Sequence, residues 1–185
     1  MALTVVSVAY PIVPIGPDTV GGTEQVVSIL DEALVRRGHK SFVVAAADSR
    51  VAGTLVATPS GTGALDEAGW AHAYKVHRET LQQLLRTITP DVVHMHGIDF
   101  QIYLPDIGPP VLATLHLPPF NYPADIAHPQ RPLTFLNCVS NFSRRLYPPD
   151  APIVVIPNGV PLDRFQPGPV KEDFCLLYTS DAADE

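Results

Sequence analysis

Apolar positions along this chain alternate between two periodicities. "LTVVSVAY" (3–10) is a continuous β-branched run, the pattern of a strand buried on both faces. A Pro- and Gly-rich loop occupies 11–22. Beyond it, "TEQVVSILDEALVRRGH" sets Val26, Val27, Ile29, Leu30, Ala33 and Leu34 on one stripe at helical spacing. Arg36 and Arg37 fall in the last turn, where they suit the helix dipole, and Gly38 predicts a left-handed cap. "SFVVAAAD" (41–48) is a second buried strand, which makes the first segment a right-handed βαβ unit.

The alternation continues. "TLVATPSG" (54–61) reads as a weaker third strand, and 69–88 as a helix with Ala73, Val76, Leu81, Leu84, Leu85 and Ile88 on its apolar side. Pro90 stops that helix before the strand "DVVHMHG" (91–97). A short helical or irregular stretch leads to the strand "PVLATLHL" (110–117). The Pro-rich 118–132 is a loop with room for one helical turn. "LTFLNCVS" (133–140), the short helix "NFSRRLY" and a final strand and turn "APIVVIPNGV" (151–160) follow. Such alternation predicts an α/β, doubly wound, mainly parallel, Rossmann-like sheet, whose ligands sit beyond the carboxyl ends of the strands.

The residues just after each strand are therefore the candidates. Gly21 and Gly22 stand where the first loop meets the first helix. Unpaired amides at a helix start favour phosphate, and glycine lets a ligand reach them. A capping turn that needs glycine angles explains the pair equally well. Thr23 shares that turn, and Glu24 gains from the dipole there. His116 ends its strand where it can hydrogen-bond a hydroxyl. His94 and His96 share a strand face, with His96 the better wall of a site. No third ligand at metal spacing accompanies them, so no metal is expected. Ser140 and Asn141 cap a strand-to-helix junction, and Asn158-Gly159 has turn chemistry.

Composition narrows the classes. The 185 residues are 46% hydrophobic and 17% charged, as in a globular protein. A net charge of -7 without Lys/Arg clusters argues against nucleic acid. Two cysteines make neither a disulfide framework nor a metal spacing. The N-terminus lacks a basic region and a run long enough to span a membrane, so a cytoplasmic location is expected, with peripheral membrane contact compatible with it. The end breaks the pattern: "CLLYTSDAADE" (175–185) matches the translation of a common transposase-type sequencing adapter. The native chain is accordingly expected to continue past Phe174. The expected division is a Rossmann-like domain at 1–165, the start of a linker or second domain at 166–174, and a non-native tail at 175–185.

"GGTEQVV…LVRRGHK" (21–40), "PDVVHMHG" (90–97), "LATLH" (112–116), "VSNFSRR" (139–145) and "VIPNGVPLDRF" (155–165) occur in an order and spacing that resembles the N-terminal domain of a family 4 retaining glycosyltransferase of the GT-B architecture. The resemblance implies two facing Rossmann-like domains with the site between them. It implies a nucleotide-sugar donor, a carbohydrate or lipid acceptor, and no cofactor or obligatory metal. Gly21, Gly22 and Thr23 would approach the donor diphosphate, and His116 would lie beside the sugar as a catalytic-site hydrogen-bonding partner. Glu24, His96 and Asn141 would wall the cleft, and Asn158 and Gly159 would sit at the hinge. The family's basic pair and E-x7-E glutamate belong to a C-terminal domain, so this chain alone is expected to be inactive.

Two other assignments compete. An NAD-dependent sugar epimerase would use Asp48 at the end of the second strand, but "AYPIVPIGP" supplies no glycine fingerprint and "AYKVH" no catalytic Tyr/Lys pair. A non-catalytic sugar- or lipid-binding domain on the same sheet is the other. For the glycosyltransferase, Phe120, Tyr122 and His128 of the Pro-rich loop 118–132 are candidates for the acceptor side, the two aromatics by stacking, though such a loop is as often plain surface.

Overall fold

The computed structural model describes residues 1–61, 65–164 and 168. Seven strands form one sheet: β1 (Thr4–Val8), β2 (Lys40–Ala46), β3 (Thr54–Thr58), β4 (Val92–Met95), β5 (Val111–Leu115), β6 (Thr134–Cys138) and β7 (Ile153–Val155). Their order is β3-β2-β1-β4-β5-β6-β7, and every pairing is parallel. Four helices connect them: α1 (Gly22–Arg36), α2 (Glu67–Thr87), α3 (Phe100–Tyr103) and α4 (Asn141–Leu146). The chain runs from β1 outward to β3, then returns across the sheet to β4. The β1/β4 junction is thus the switch point at which an open α/β sheet binds ligands.

The local rules explain the elements. Valine and alanine on both faces of β1 and β2 are buried, as a doubly covered strand requires. α1 closes on Gly38, whose φ of 79° only glycine adopts readily, while the Gly38 amide bonds the Val35 carbonyl at 2.9 Å. α2 starts two residues before the expected position because Asp66 caps it, accepting from the Gly69 amide at 2.8 Å. The stretch left open between helix and irregular chain is the single turn α3, and the Pro-rich loop holds one tight turn at Pro119–Asn121. Two arginines clip the Pro-rich connections through carbonyls. Arg131 donates to those of Pro105, Pro109 and Pro132, and Arg144 to those of Pro148, Pro149, Ala151 and Ile153.

Right-handed crossovers put α2, α3 and α4 on one face and leave α1 alone on the other. The larger core lies under the first group, with Leu81 of α2 against Val6, Met95 and Leu115. The smaller one packs Val27 of α1 on Ala9, Val43 and Ala45. Here the expected apolar stripe divides. Val27 is fully buried, whereas Val26, Ile29, Leu30 and Ala33 are half-buried and border a groove of ≈ 210 Å³ against β4, β5 and β6. The other fully buried member of α1 is polar: Asp31 accepts from the Ser41 hydroxyl (2.6 Å) and from the Ala52 (2.6 Å) and Gly53 (3.1 Å) amides. Periodicity cannot show that, because the acid is held by the β2–β3 connection rather than by its helix.

The expected linker at 166–174, residue 168 apart, and the tail at 175–185 lie outside the described residues. Among the described residues, no helix is long and apolar enough to cross a membrane.

Candidate functional site

The carboxyl ends of β1, β4 and β5 meet the start of α1 around a concavity of ≈ 170 Å³. Tyr10 follows β1, Thr23 and Glu24 open α1, His96 and Gly97 follow β4, and Leu117 follows β5. Gly97 is needed there. A Cβ on it would collide with the Tyr103 hydroxyl.

The two glycines at the head of α1 have different reasons. Gly21 is the N-cap, with φ −72° and ψ 133°, so neither it nor Gly22 needs a left-handed angle. A side chain at Gly21 would strike the Glu24 carboxylate, which folds back over it. A side chain at Gly22 would meet nothing within 4 Å. No side chain caps the helix, so its first amides stay free for an acceptor. The chain's own carboxylate therefore fills the Gly21 side of this corner, and the Gly22 side is open.

Charge decides what that corner can hold alone. Two unit charges about 4 Å apart at an effective dielectric of ~20 repel by about 4 kcal/mol. A helix terminus returns about 0.3–1 kcal/mol, rising to ~2 in favourable sites. Among the described residues, no Lys or Arg lines the concavity. A diphosphate there must stay on the Gly22 side or receive positive charge from elsewhere.

The strand face toward α1 carries an unusual polar band. The His94 Nε2 lies 2.7 Å from the Thr114 hydroxyl, which donates to Asn137 Oδ1 at 2.8 Å. His96 Nδ1 lies 3.2 Å from His116 Nε2, and the His94 and His96 ring centroids are 3.9 Å apart. Burial, then the charge of His116, lowers the pKa of His94 to about 4. Burial lowers that of His116 to about 4, and that of His96 well below the ordinary range, with His94 and His116 adding to the latter. All three rings are thus neutral near pH 7. The nitrogens of His96 and His116 aim at one another rather than at a shared centre. Among the described residues, no group of three or more His, Cys, Asp or Glu is placed to hold a metal.

The structure brings Thr23, Glu24 and His96 together at the concavity, with His116 bonded behind them. It sets Asn141 apart as the exposed first residue of α4, where Ser140 does the capping by accepting from the Ser143 amide at 3.0 Å. Asn158 and Gly159 border the groove along α1, and Arg164 ties that segment back to Glu32 of α1 at 3.3 Å. Glu24 and Glu32 happen to repeat an E-x7-E spacing, yet Glu24 covers Gly21 while Glu32 pairs with Arg164. They do not converge. Tyr122 is buried, its hydroxyl accepting from the Leu117 amide at 3.2 Å, so it has no free face to stack on a sugar. Phe120 is 82% exposed and His128 is exposed.

Sequence reasoning missed the aromatic row beside the concavity. Tyr10, Trp70, Tyr74 and Tyr103 lie in succession at centroid distances of 5.7, 5.6 and 6.2 Å, and the Tyr74 hydroxyl donates to Asp99 at 2.5 Å. The legible signal was the spacing of Trp70, Tyr74 and His77 along one face of α2.

Comparison with known proteins agrees with the fold. The sequence profile described as Glycosyltransferase Family 4 matches residues 20–164. Among solved structures, the catalytic domain of Starch Synthase IV from Arabidopsis thaliana, bound to ADP and acarbose, superposes with a TM-score of 0.59 at 16% identity. The match covers 90% of this chain and 54% of that one, so this chain spans about half the length of that relative. No curated protein sequence matches.

Proposed function

Since the chain belongs to glycosyltransferase family 4, we propose that it forms the acceptor-side half of a catalytic cleft, in an enzyme moving a sugar from a nucleotide-sugar donor to a carbohydrate or lipid acceptor with retention at the anomeric carbon. One observation carries the reading. At the β1/β4 switch point, free helix amides beside the open Gly22 face a concavity walled by a neutral histidine and a hydroxyl. Amides of this kind stabilise the charge that grows on a departing diphosphate, and neutral imidazole orients sugar hydroxyls without ionising. The ADP in the starch synthase IV structure supports a nucleotide on the donor side. Gly21 contributes by making room for Glu24, Gly22 and Thr23 receive phosphate oxygens, and His116 hydrogen-bonds the transferred sugar. Asn158 and Gly159 serve as the hinge.

With Glu24 inside the concavity and no Lys or Arg among the described residues that line it, donor charge is best met by basic side chains of a second domain, and the chain in isolation is expected to be inactive. Neither a cofactor nor a metal enters this scheme. A cytoplasmic location belongs to the same proposal.

A two-domain enzyme carrying this chain, incubated with a panel of nucleotide sugars and glycan or lipid acceptors, is expected to give product whose anomeric NMR coupling matches the donor. An inverted product overturns retention. Failure with every donor and acceptor overturns the transferase reading. Turnover by residues 1–185 alone overturns the need for the second domain.

A further inference from the structure

We propose that His96 is a positioning residue that fixes the proton of His116, so that His116 meets the cleft with an Nδ1–H donor rather than with a basic lone pair. The inference deepens the proposed function only in naming what that ring faces. The proton placement itself follows from the geometry of the chain.

Thr114 has one hydroxyl hydrogen, and it goes to Asn137 Oδ1. Thr114 must therefore accept from His94, which places the His94 proton on Nε2. Between His96 Nδ1 and His116 Nε2, 3.2 Å apart, one nitrogen donates and the other accepts. His96 Nε2 breaks the symmetry, being buried without any hydrogen-bond partner. If His116 donated from Nε2, the His96 proton would sit on that Nε2 as a buried N–H with no acceptor. If His96 donates from Nδ1, only a lone pair is stranded there, and orphaned N–H groups are the rarer of the two in folded proteins. The second arrangement leaves His116 with its proton on Nδ1. That atom makes no hydrogen bond to the described residues in a ring that is only part-buried, so it is the nitrogen left for a ligand.

The consequence is chemical. A ring whose Nε2 is filled from behind and whose Nδ1 carries a hydrogen cannot take a proton from an acceptor hydroxyl. It donates to an oxygen instead, and His96 holds it in that state.

Ring-nitrogen NMR on the 15N-histidine-labelled chain at pH 7.5 tests this without any ligand. His116 is expected to show a protonated Nδ1 and a bare Nε2, with a bias of about tenfold or more from a hydrogen bond of about 1.4 kcal/mol. In His96→Phe the bias should collapse, and in His96→Asn, whose amide reaches the same position as Nδ1, it should return. Loss of the bias in His96→Phe without return in His96→Asn overturns the positioning role. A His116 protonated on Nε2 in the unaltered chain overturns the proposal outright, whether or not a variant folds. An unchanged tautomer in folded His96→Phe overturns it too. Correct proton placement in a protein that transfers no sugar would sink the proposed function and leave this inference standing.

Discussion

Four histidine rings buried neutral make this domain sensitive to acid. Burial lowers the pKa of His77, His94 and His116 to about 4 each, against an ordinary value of 6.5, and holds that of His96 well below the ordinary value too. The unfolded chain binds protons on these rings as pH falls through 6.5, while the folded chain does not until about 4. Stability contributed this way is complete above pH 6.5 and is lost as pH falls through the window from 6.5 to 4. Between pH 7 and pH 5 His77, His94 and His116 each remove about 2 kcal/mol. All four rings are largely buried, so solvent screening does not erase the effect. His77, His94 and His116 together remove about 5–6 kcal/mol, comparable with the whole stability of a modest domain, ~5–15 kcal/mol, and His96 acts in the same direction. Urea unfolding followed by circular dichroism at pH 7.5, 6.5, 5.5 and 5.0 measures it. The midpoint should fall steeply below pH 6.5 with little change in slope. A midpoint that holds to pH 5, or that falls only below pH 4, would show that these rings are not buried neutral.

Two substitutions test how the scaffold is held. Asp31→Ala strands the Ser41 hydroxyl and the Ala52 and Gly53 amides and should cost about 3 kcal/mol in urea unfolding; a loss under about 1 kcal/mol would deny the carboxylate its role. Arg144→Lys replaces a fork that reaches four carbonyls with a single ammonium. It should cost about 2 kcal/mol and speed amide exchange at 151–153, and unchanged exchange there would contradict it.

Much of this architecture was legible because parallel strands announce themselves. The runs at 3–10, 41–48 and 110–117 are apolar at consecutive positions, and all became inner strands or their immediate neighbours. Helix caps were equally readable at Gly38 and, in hindsight, at Asp66. What the pattern hid was tertiary. Val26, Ile29, Leu30 and Ala33 share a stripe with Val27, but only Val27 lies over a strand close enough to bury it. Asp31 and His77 stand at core positions where distant backbone groups bond them, the Ala52 and Gly53 amides for one and, through Nε2, the Ala9 carbonyl for the other.

The site divides along the same line. That Gly21 and Gly22 open a helix at a strand end could be read directly. That one glycine accommodates the chain's own Glu24 while the other stays open depends on how a side chain three residues away turns back. Likewise His96 and His116 were recognisable as strand-end residues, but their mutual bond arises from the β4–β5 pairing, which no local window contains.

The central claim is that the phosphate of an activated sugar docks on the free amides at the start of α1. Titrating the 15N-labelled two-domain enzyme that carries this chain with a nucleoside diphosphate, and watching the Gly22, Thr23 and Glu24 amide resonances, tests it directly. The account predicts saturable shifts at those amides. It also predicts that Gly22→Ala, which meets open space and should stabilise the helix by about 0.5–1 kcal/mol, weakens the response. Shifts that spare these amides and gather elsewhere, or a Gly22→Ala variant that responds as strongly as the unaltered chain, would contradict it.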